Sequence, residues 1–416
     1  MKLYSGDTYW DKTLKTDNNF KEVESDLKAD ILIIGGGMSG NLMAYILAKR
    51  GRNVTLVEAN KVGCGSSTAN TGLLQYSSDI MISELADEIG KSDAVLFYKM
   101  CLKAMNDLTN LNKSLNQDTE YRNKASIYYA SDESDREKLE REYKYLNAYD
   151  FPVEFLDKSS LSNLYKINKA GALKTWHDAD VNPYKFIQAL VDENLDMGVK
   201  YFENTSVDLE NIKNNTVYTA SDYKLEFKNI ILATGYTKLY PIIADKAEVN
   251  RTYALASKPL ENSPWKDEVM VWETKDPYLY FRTTVDKRII AGGLDEEIAV
   301  VVDDKNTIYQ KTENIASQIK NLFPDLDFEV EYRWNAIFAN SKDGLPFIGR
   351  DPEISNKYYL LGYEGNGTCY SMAGAEIIAD LIEGKDNIYS HIVKLDRWLI
   401  LLYKLIIKSV SISYII

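Results

Sequence analysis

At 416 residues with 45% hydrophobic content, the chain is long enough for more than one domain and for a sizeable core. Its formal net charge of -13 speaks against nucleic-acid binding, because phosphate backbones are neutralised by clustered Lys and Arg, and fits a neutral or cationic small molecule better.

The first 20 residues are polar with scattered aromatics and have neither the apolar run nor the small-residue cleavage site of an export signal. Cys64, Cys101 and Cys369 are odd in number, far apart and free of CxxC spacing, which fits a reducing cytoplasm. With only His177 and His391 as histidines, no metal centre is expected.

Ile31 to Ile34 form a continuous apolar run of strand length, as in a parallel sheet buried on both faces. Gly35-Gly36-Gly37-Met38-Ser39-Gly40 then fits GxGxxG, Asn41 to Arg50 reads as a helix ended by Gly51, and Asn53 to Val57 as a second strand. In this βαβ unit Gly35 permits the tight turn, Gly37 lets a pyrophosphate approach the backbone, and Gly40 lets helix and strand pack closely. The helix N-terminus offers free N–H groups to the phosphate. Glu58, at the tip of the second strand, suits ribose hydroxyls and repels a 2′-phosphate, favouring FAD or NAD over NADP.

Two later segments bear on that choice. Asn229 to Gly235, NIILATG, reads as a strand ending in a small-residue turn. Tyr358 to Thr368, YYLLGYEGNGT, is a strand running into glycines and then an amphipathic helix with Ile377, Ile378, Leu381 and Ile382 on one side and Gly384 beyond its end. Its glycine order is wrong for a second nucleotide fingerprint. A helix N-terminus facing the pyrimidine end of a flavin explains it better than an NAD-dependent dehydrogenase does.

With these motifs in order the chain resembles the FAD-dependent D-amino-acid oxidase superfamily, in its glycine oxidase and sarcosine oxidase-like branch. The matching residues are Gly35 to Gly40, Glu58-Ala59, GCGSSTANTG from Gly63 to Gly72, ILATG from Ile231 to Gly235, DGLPFIGR from Asp343 to Arg350, and GYEGNGT from Gly362 to Thr368. The resemblance implies an α/β fold, a Rossmann-type FAD-binding domain with an inserted α+β substrate domain whose antiparallel or mixed sheet roofs the flavin. It places the FAD domain in residues 29–84, 152–240 and 336–388, the substrate domain in 85–151 and 241–335, and an N-terminal extension in 1–28. Ala125 to Ala130 and Pro277 to Gly293 read as roof strands, the latter with a hairpin around Asp286-Lys287; the charged run Ser131 to Tyr145 reads as a solvated helix.

FAD is then expected on Gly35, Gly37, Met38, Ser39, Gly40, Glu58 and Ala59, on Ser66, Ser67 and Gly72, on Val207, on Thr234 and Gly235, and on Gly365, Asn366, Gly367 and Thr368. The implied reaction oxidises a C–N bond of an amine or amino acid, with electrons passing to O₂ or another acceptor. Relatives acting on amino acids hold the carboxylate with an arginine near the Asp-Gly-Leu-Pro motif, where Phe338 stands here; Arg282 and Arg333 are the alternatives. Tyr280, Tyr363, Trp176 and His177 are candidate pocket walls. No cysteine lies just ahead of that motif, so noncovalent FAD is expected, with Cys64 and Cys369 as filler. The roof strand presents Ile289, Ile290 and Ala291 where some relatives place an O₂-activating lysine, and Lys287 is a weak substitute.

The C-terminal Trp398 to Ile416 is apolar but carries Lys404 and Lys408. A helix packed on the body, an aberrant coda and a membrane contact remain open, the last with a membrane-associated dehydrogenase passing electrons to quinone as its functional counterpart. A non-catalytic flavin-binding protein is the other alternative.

Overall fold

The computed structural model describes residues 2–397 except Asp17 and Lys238, so the apolar tail from Trp398 lies outside the described residues. The chain builds two sheets. The smaller has seven strands, ordered Phe347–Arg350, Lys357–Leu361, Lys224–Leu232, Leu27–Ile34, Val54–Val57 and Lys200–Phe202, with Thr216–Tyr218 pairing beside Lys224–Leu232. From Lys357–Leu361 to Lys200–Phe202 every pairing is parallel, with Ile230 opposite Leu32 and Ile31 opposite Val54. Such a sheet must be covered on both faces. Helix Met38–Lys49 is correspondingly buried without interruption from Gly40 to Leu47, between the strands and helices Pro183–Asp196 and Gly367–Ile382.

The larger sheet has ten strands, ordered Tyr4–Asp7, Val330–Ser341, Ala247–Ser257, Ile289–Glu296, Tyr280–Thr283, Met270–Glu273, Arg122–Tyr129, Gly171–Asp180 and Leu73–Leu74, with Val153–Asp157 also on Gly171–Asp180. It is mixed: Met270–Glu273 runs parallel to Arg122–Tyr129 and the other pairings are antiparallel. Helix Lys305–Leu322 covers one face, burying Ile308, Ile315 and Ile319, and Asp304 caps it by accepting from Thr307 N at 2.9 Å. The hairpin around Asp286-Lys287 is present, with Lys287 at φ +62°. The charged run forms helix Asp135–Ala148.

Two segments sit differently from their expected domains. Val153–Asp157 and Gly171–Asp180 belong to the larger sheet, because Gly171–Asp180 pairs with Arg122–Tyr129 from Tyr129 opposite Ala172 to Arg122 opposite Asp180. Arg122 also holds the buried Asp180 with two N–H donors, at 2.9 and 2.6 Å. The opening segment is likewise structured: Tyr4–Asp7 completes the sheet edge, and the fully buried Trp10 donates its indole N–H to Asn70 O at 2.6 Å.

Candidate functional site

Between the two sheets lies a cavity of about 1610 Å³. That exceeds the ~300–1,000 Å³ of an ordinary small-molecule pocket, as a dinucleotide and a substrate together require.

The glycine loop forms its floor. Gly35 has φ +112°, and a Cβ there would stand 2.3 Å from Ala233 O on the neighbouring strand. A Cβ on Gly40 would lie 1.8 Å from Gly35 O, so the first helical turn folds directly onto the loop. The buried Asn41 fixes the loop's other carbonyls, donating its amide to Gly36 O at 2.8 Å and Gly37 O at 2.9 Å while accepting from Tyr201 O–H at 2.7 Å. Three loop N–H groups are also taken, Gly35 N by Val57 O at 2.9 Å, Gly36 N by Glu58 at 2.7 Å and Met38 N by Ser67 Oγ at 3.2 Å, so the loop is held from both sides.

Helices Met38–Lys49 and Gly367–Ile382 both start at this cavity, and neither receives a side-chain hydrogen bond from its N-cap residue. Helices Pro183–Asp196 and Lys305–Leu322 are capped by Asn182 and Asp304. Helix N-termini carry partial positive charge suited to phosphate and to an electron-rich ring. Ser39 Oγ and Ser371 Oγ, 2.7 Å apart, hold the two helix starts together.

Opposite the loop, the short helix Ser66–Ala69 presents Ser67, whose Oγ accepts from Met38 N at 3.2 Å, and Ser66, whose buried Oγ has no partner. Glu58 accepts from Gly36 N at 2.7 Å and Asn60 N at 2.8 Å; desolvation by burial outweighs these bonds and raises its pKa. Thr205, Ser206 and Val207 line the cavity nearby, and Thr234, Gly235 and Tyr236 line it from the strand that ends beside the loop.

Thus Gly35, Gly37, Met38, Ser39, Glu58, Ala59, Ser66, Ser67, Val207, Thr234, Gly235, Gly365, Asn366, Gly367 and Thr368 all border one space. Gly40 supports it from behind. Gly72 also lies off the wall: at φ +75°, its missing Cβ leaves room for Val181 O and Arg282 Nη2, which it would meet at 2.3 and 2.4 Å.

The other end of the cavity is aromatic and acidic. Trp272, Tyr278, Tyr280 and Phe338 line it from the larger sheet, with Asp79, Asp295, Tyr363 and Glu364. Tyr280 crosses its own sheet at Gly292, where a Cβ would sit 2.3 Å from the phenol oxygen. Asp79 accepts from Gly365 N at 2.6 Å and Tyr278 O–H at 3.1 Å. Glu364, at φ +71°, accepts from both Ser341 N and Ser341 Oγ, yet burial and the charge of Asp79 push its pKa up to about 8.

Arg282 does not border the cavity. It is buried at 2% exposure, donating Nε to Thr71 O, Nη1 to Thr283 O and Nη2 to Val181 O over the Trp10 ring. Arg333 borders the cavity but spends its guanidinium on Thr312 Oγ1 at 2.7 Å, Glu313 at 2.6 Å and the face of Tyr309. Trp176 and the φ +67° His177 are exposed on the far part of their strand and do not line the cavity. Lys287 donates to Glu261 O at the surface. Cys101 and Cys369 are buried, Cys64 is an exposed cavity-lining thiol, and all three are free. Among the described residues no His, Cys, Asp and Glu cluster forms a metal site, and no helix is long and apolar enough to cross a membrane.

Asn41, Gln75, Asp79, Asp295 and Glu364 were not singled out by sequence reasoning. Glu364 alone had a signal, its place inside the GYEGNGT turn.

A βαβ glycine loop, a second uncapped helix start and a roofing mixed sheet define a dinucleotide-dependent oxidoreductase of the flavin type. The family model described as FAD dependent oxidoreductase (DAO) matches residues 30–381, and the chain belongs to that family. It is 25% identical over 402 residues to YhfW of Bacillus subtilis, provisionally named a Rieske 2Fe-2S iron-sulfur protein, covering 94% of this chain and 76% of that protein. It is also 25% identical over 378 residues to the gamma-glutamylputrescine oxidoreductase of Escherichia coli, covering 88% of this chain and 86% of that one. The structure of glycine oxidase from Geobacillus kaustophilus superposes with a TM-score of 0.73 at 20% identity, covering 87% of this chain and 96% of that chain. That likeness speaks for the fold.

Proposed function

We propose that this protein oxidises the C–N bond of an amine or amino acid with noncovalently held FAD. The observation that carries the reading is the convergence of two helix N-termini on one cavity whose far end is roofed by aromatic residues. The smaller sheet with its helices is the cofactor domain in this reading and the larger sheet the substrate domain. The fit to FAD is supported by the cavity-lining Gly35 and Gly37, the unpartnered Ser66 hydroxyl and the acidic tip at Glu58.

Glu58 would hold the ribose, Ser66 and the start of helix Met38–Lys49 the pyrophosphate, and the Gly365–Thr368 turn the flavin edge. When bound, FAD supplies two-electron oxidation of the carbon bearing nitrogen, giving an imine that water hydrolyses. The chain's own part is to bind, orient and shield. Trp272, Tyr278 and Tyr280 exclude water from the reacting carbon, and the glycines at 292 and 293 let that aromatic wall lie close.

Electrons leave to O₂ or to another acceptor. The lysines bordering the cavity, Lys2 and Lys305, belong to the edge strand's approach and the start of helix Lys305–Leu322, with Lys2 paired to Asp303. That, with the likeness to YhfW, favours an acceptor other than O₂ as the second reading. A cytoplasmic setting fits the free cysteines.

The test is an anaerobic screen in which amines and amino acids are mixed with FAD-loaded protein and the flavin absorbance near 450 nm is followed. Bleaching by at least one amine or amino acid supports the reading. Bleaching by dithionite alone would favour the non-catalytic flavin-binding protein instead.

A further inference from the structure

The substrate end of the cavity gathers three carboxyl groups, Asp79, Asp295 and Glu364, of which Glu364 holds its proton. Asp79 is held by Gly365 N and Tyr278 O–H, and Glu364 by Ser341. Asp295 differs: it lies on strand Ile289–Glu296, borders the cavity, and its buried Oδ1 has no partner. A buried carboxylate oxygen without a donor costs free energy that a ligand's N–H recovers.

Among the described residues no guanidinium offsets the charge of Asp79 and Asp295. Arg282 is turned to carbonyls away from the cavity, and Arg333 is spent on Thr312 and Glu313. Desolvation raises the Asp295 pKa to about 6 against the lowering effect of the Thr252 side chain, and the carboxylates of Asp79 and Asp276 raise it further. An α-amino acid would bring its own carboxylate into this repulsion. A cation would relieve it, and the faces of Trp272, Tyr278 and Tyr280 add a quadrupole that attracts ammonium groups.

We propose that the substrate carries a second, permanently protonated nitrogen, as a short diamine or polyamine does, and that Asp295 Oδ1 receives this distal ammonium between the rings of Tyr278, Tyr280 and Trp272. The proposal rests on the amine-oxidation reading above. A primary amine R–CH₂–NH₂ gives up two electrons and two protons to FAD and becomes R–CH=NH; water then gives R–CHO and NH₃. FAD passes both electrons to O₂ or the other acceptor, and the distal nitrogen is unchanged.

The experiment compares anaerobic reduction of the FAD-loaded protein by 1,4-diaminobutane, spermidine, n-butylamine, glycine and N-methylglycine. The expected result is a reduction efficiency for a diamine or polyamine at least about tenfold above n-butylamine, the factor one charge-assisted hydrogen bond supplies. In Asp295→Asn, checked for retained FAD and unchanged unfolding temperature, that ratio falls toward one, and difference-spectrum titration shows weaker diamine binding. Glycine, N-methylglycine or n-butylamine reducing the flavin as well as the diamines would overturn this inference and leave amine oxidation standing. If no compound bleaches the flavin while dithionite does, the parent reading fails and this one with it. A ratio unmoved by Asp295→Asn would overturn the assignment of the distal site.

Discussion

The hydroxyls of Ser39 and Ser371 lie 2.7 Å apart although 332 residues separate them, and this one contact joins the start of helix Met38–Lys49 to the start of helix Gly367–Ile382. Both helix ends therefore face one cavity. Ser39→Ala and Ser371→Ala should each cost about 0.5–1.5 kcal/mol of unfolding free energy, with a double mutant that loses less than the sum. Denaturant titration of the four-member cycle measures the coupling; strict additivity would mean that the contact contributes nothing.

Gly40→Ala should be far more damaging than a helix-propensity scale suggests, since alanine normally stabilises a helix. Its Cβ would meet Gly35 O at 1.8 Å, so the loop must move. The expected outcome is protein with most of its FAD lost, read from the ratio of absorbance at 450 and 280 nm. Full FAD occupancy would show that the loop tolerates displacement.

Arg282 is expected to matter for folding and not for substrate affinity. Burial holds its pKa down at about 10, and its donors tie Thr71, Val181 and Thr283 together behind the cavity. Arg282→Ala should lower stability by roughly 3–5 kcal/mol, in the range for losing one partner of a buried charged network. A variant of normal melting temperature with a selectively raised KM would return Arg282 to the role of carboxylate clamp.

Glu364 makes stability depend on pH. Its folded pKa of about 8 lies above that of a free glutamate, so the folded state holds a proton the unfolded state releases. The contribution is full below the unfolded pKa of ~4.3 and is lost as pH rises through the folded value, a change of a few kcal/mol. Urea unfolding of FAD-stripped protein at several pH values should show this decline, and Glu364→Gln should flatten it.

Much of the cofactor half was legible because each requirement there is local. A glycine loop between a buried strand and a helix states its own geometry, and Gly35, Gly37, Met38 and Ser39 border the cavity together with the stretch from Gly365 to Thr368. Glu142 shows what local pattern cannot convey. In a helix read as merely solvated, this residue is 3% exposed and accepts from Ile82 N and Ser83 N, both at 2.9 Å, capping helix Ile82–Ile89 from another segment. Arg282, Asp79 and Asp295 are alike in this: their roles depend on which distant backbone or carboxylate arrives beside them. Gly72 looked like a cofactor contact because it sits in a cofactor motif, whereas its missing Cβ makes room for Arg282.

The central claim is that the cavity binds FAD, and the absorption spectrum of the purified protein before and after acid precipitation tests it most directly. Flavin bands that leave with the supernatant, with the released compound identified as FAD, are the predicted result and include noncovalent attachment. A colourless protein that takes up no added FAD would contradict the account and return the Gly35–Gly40 loop to another ligand.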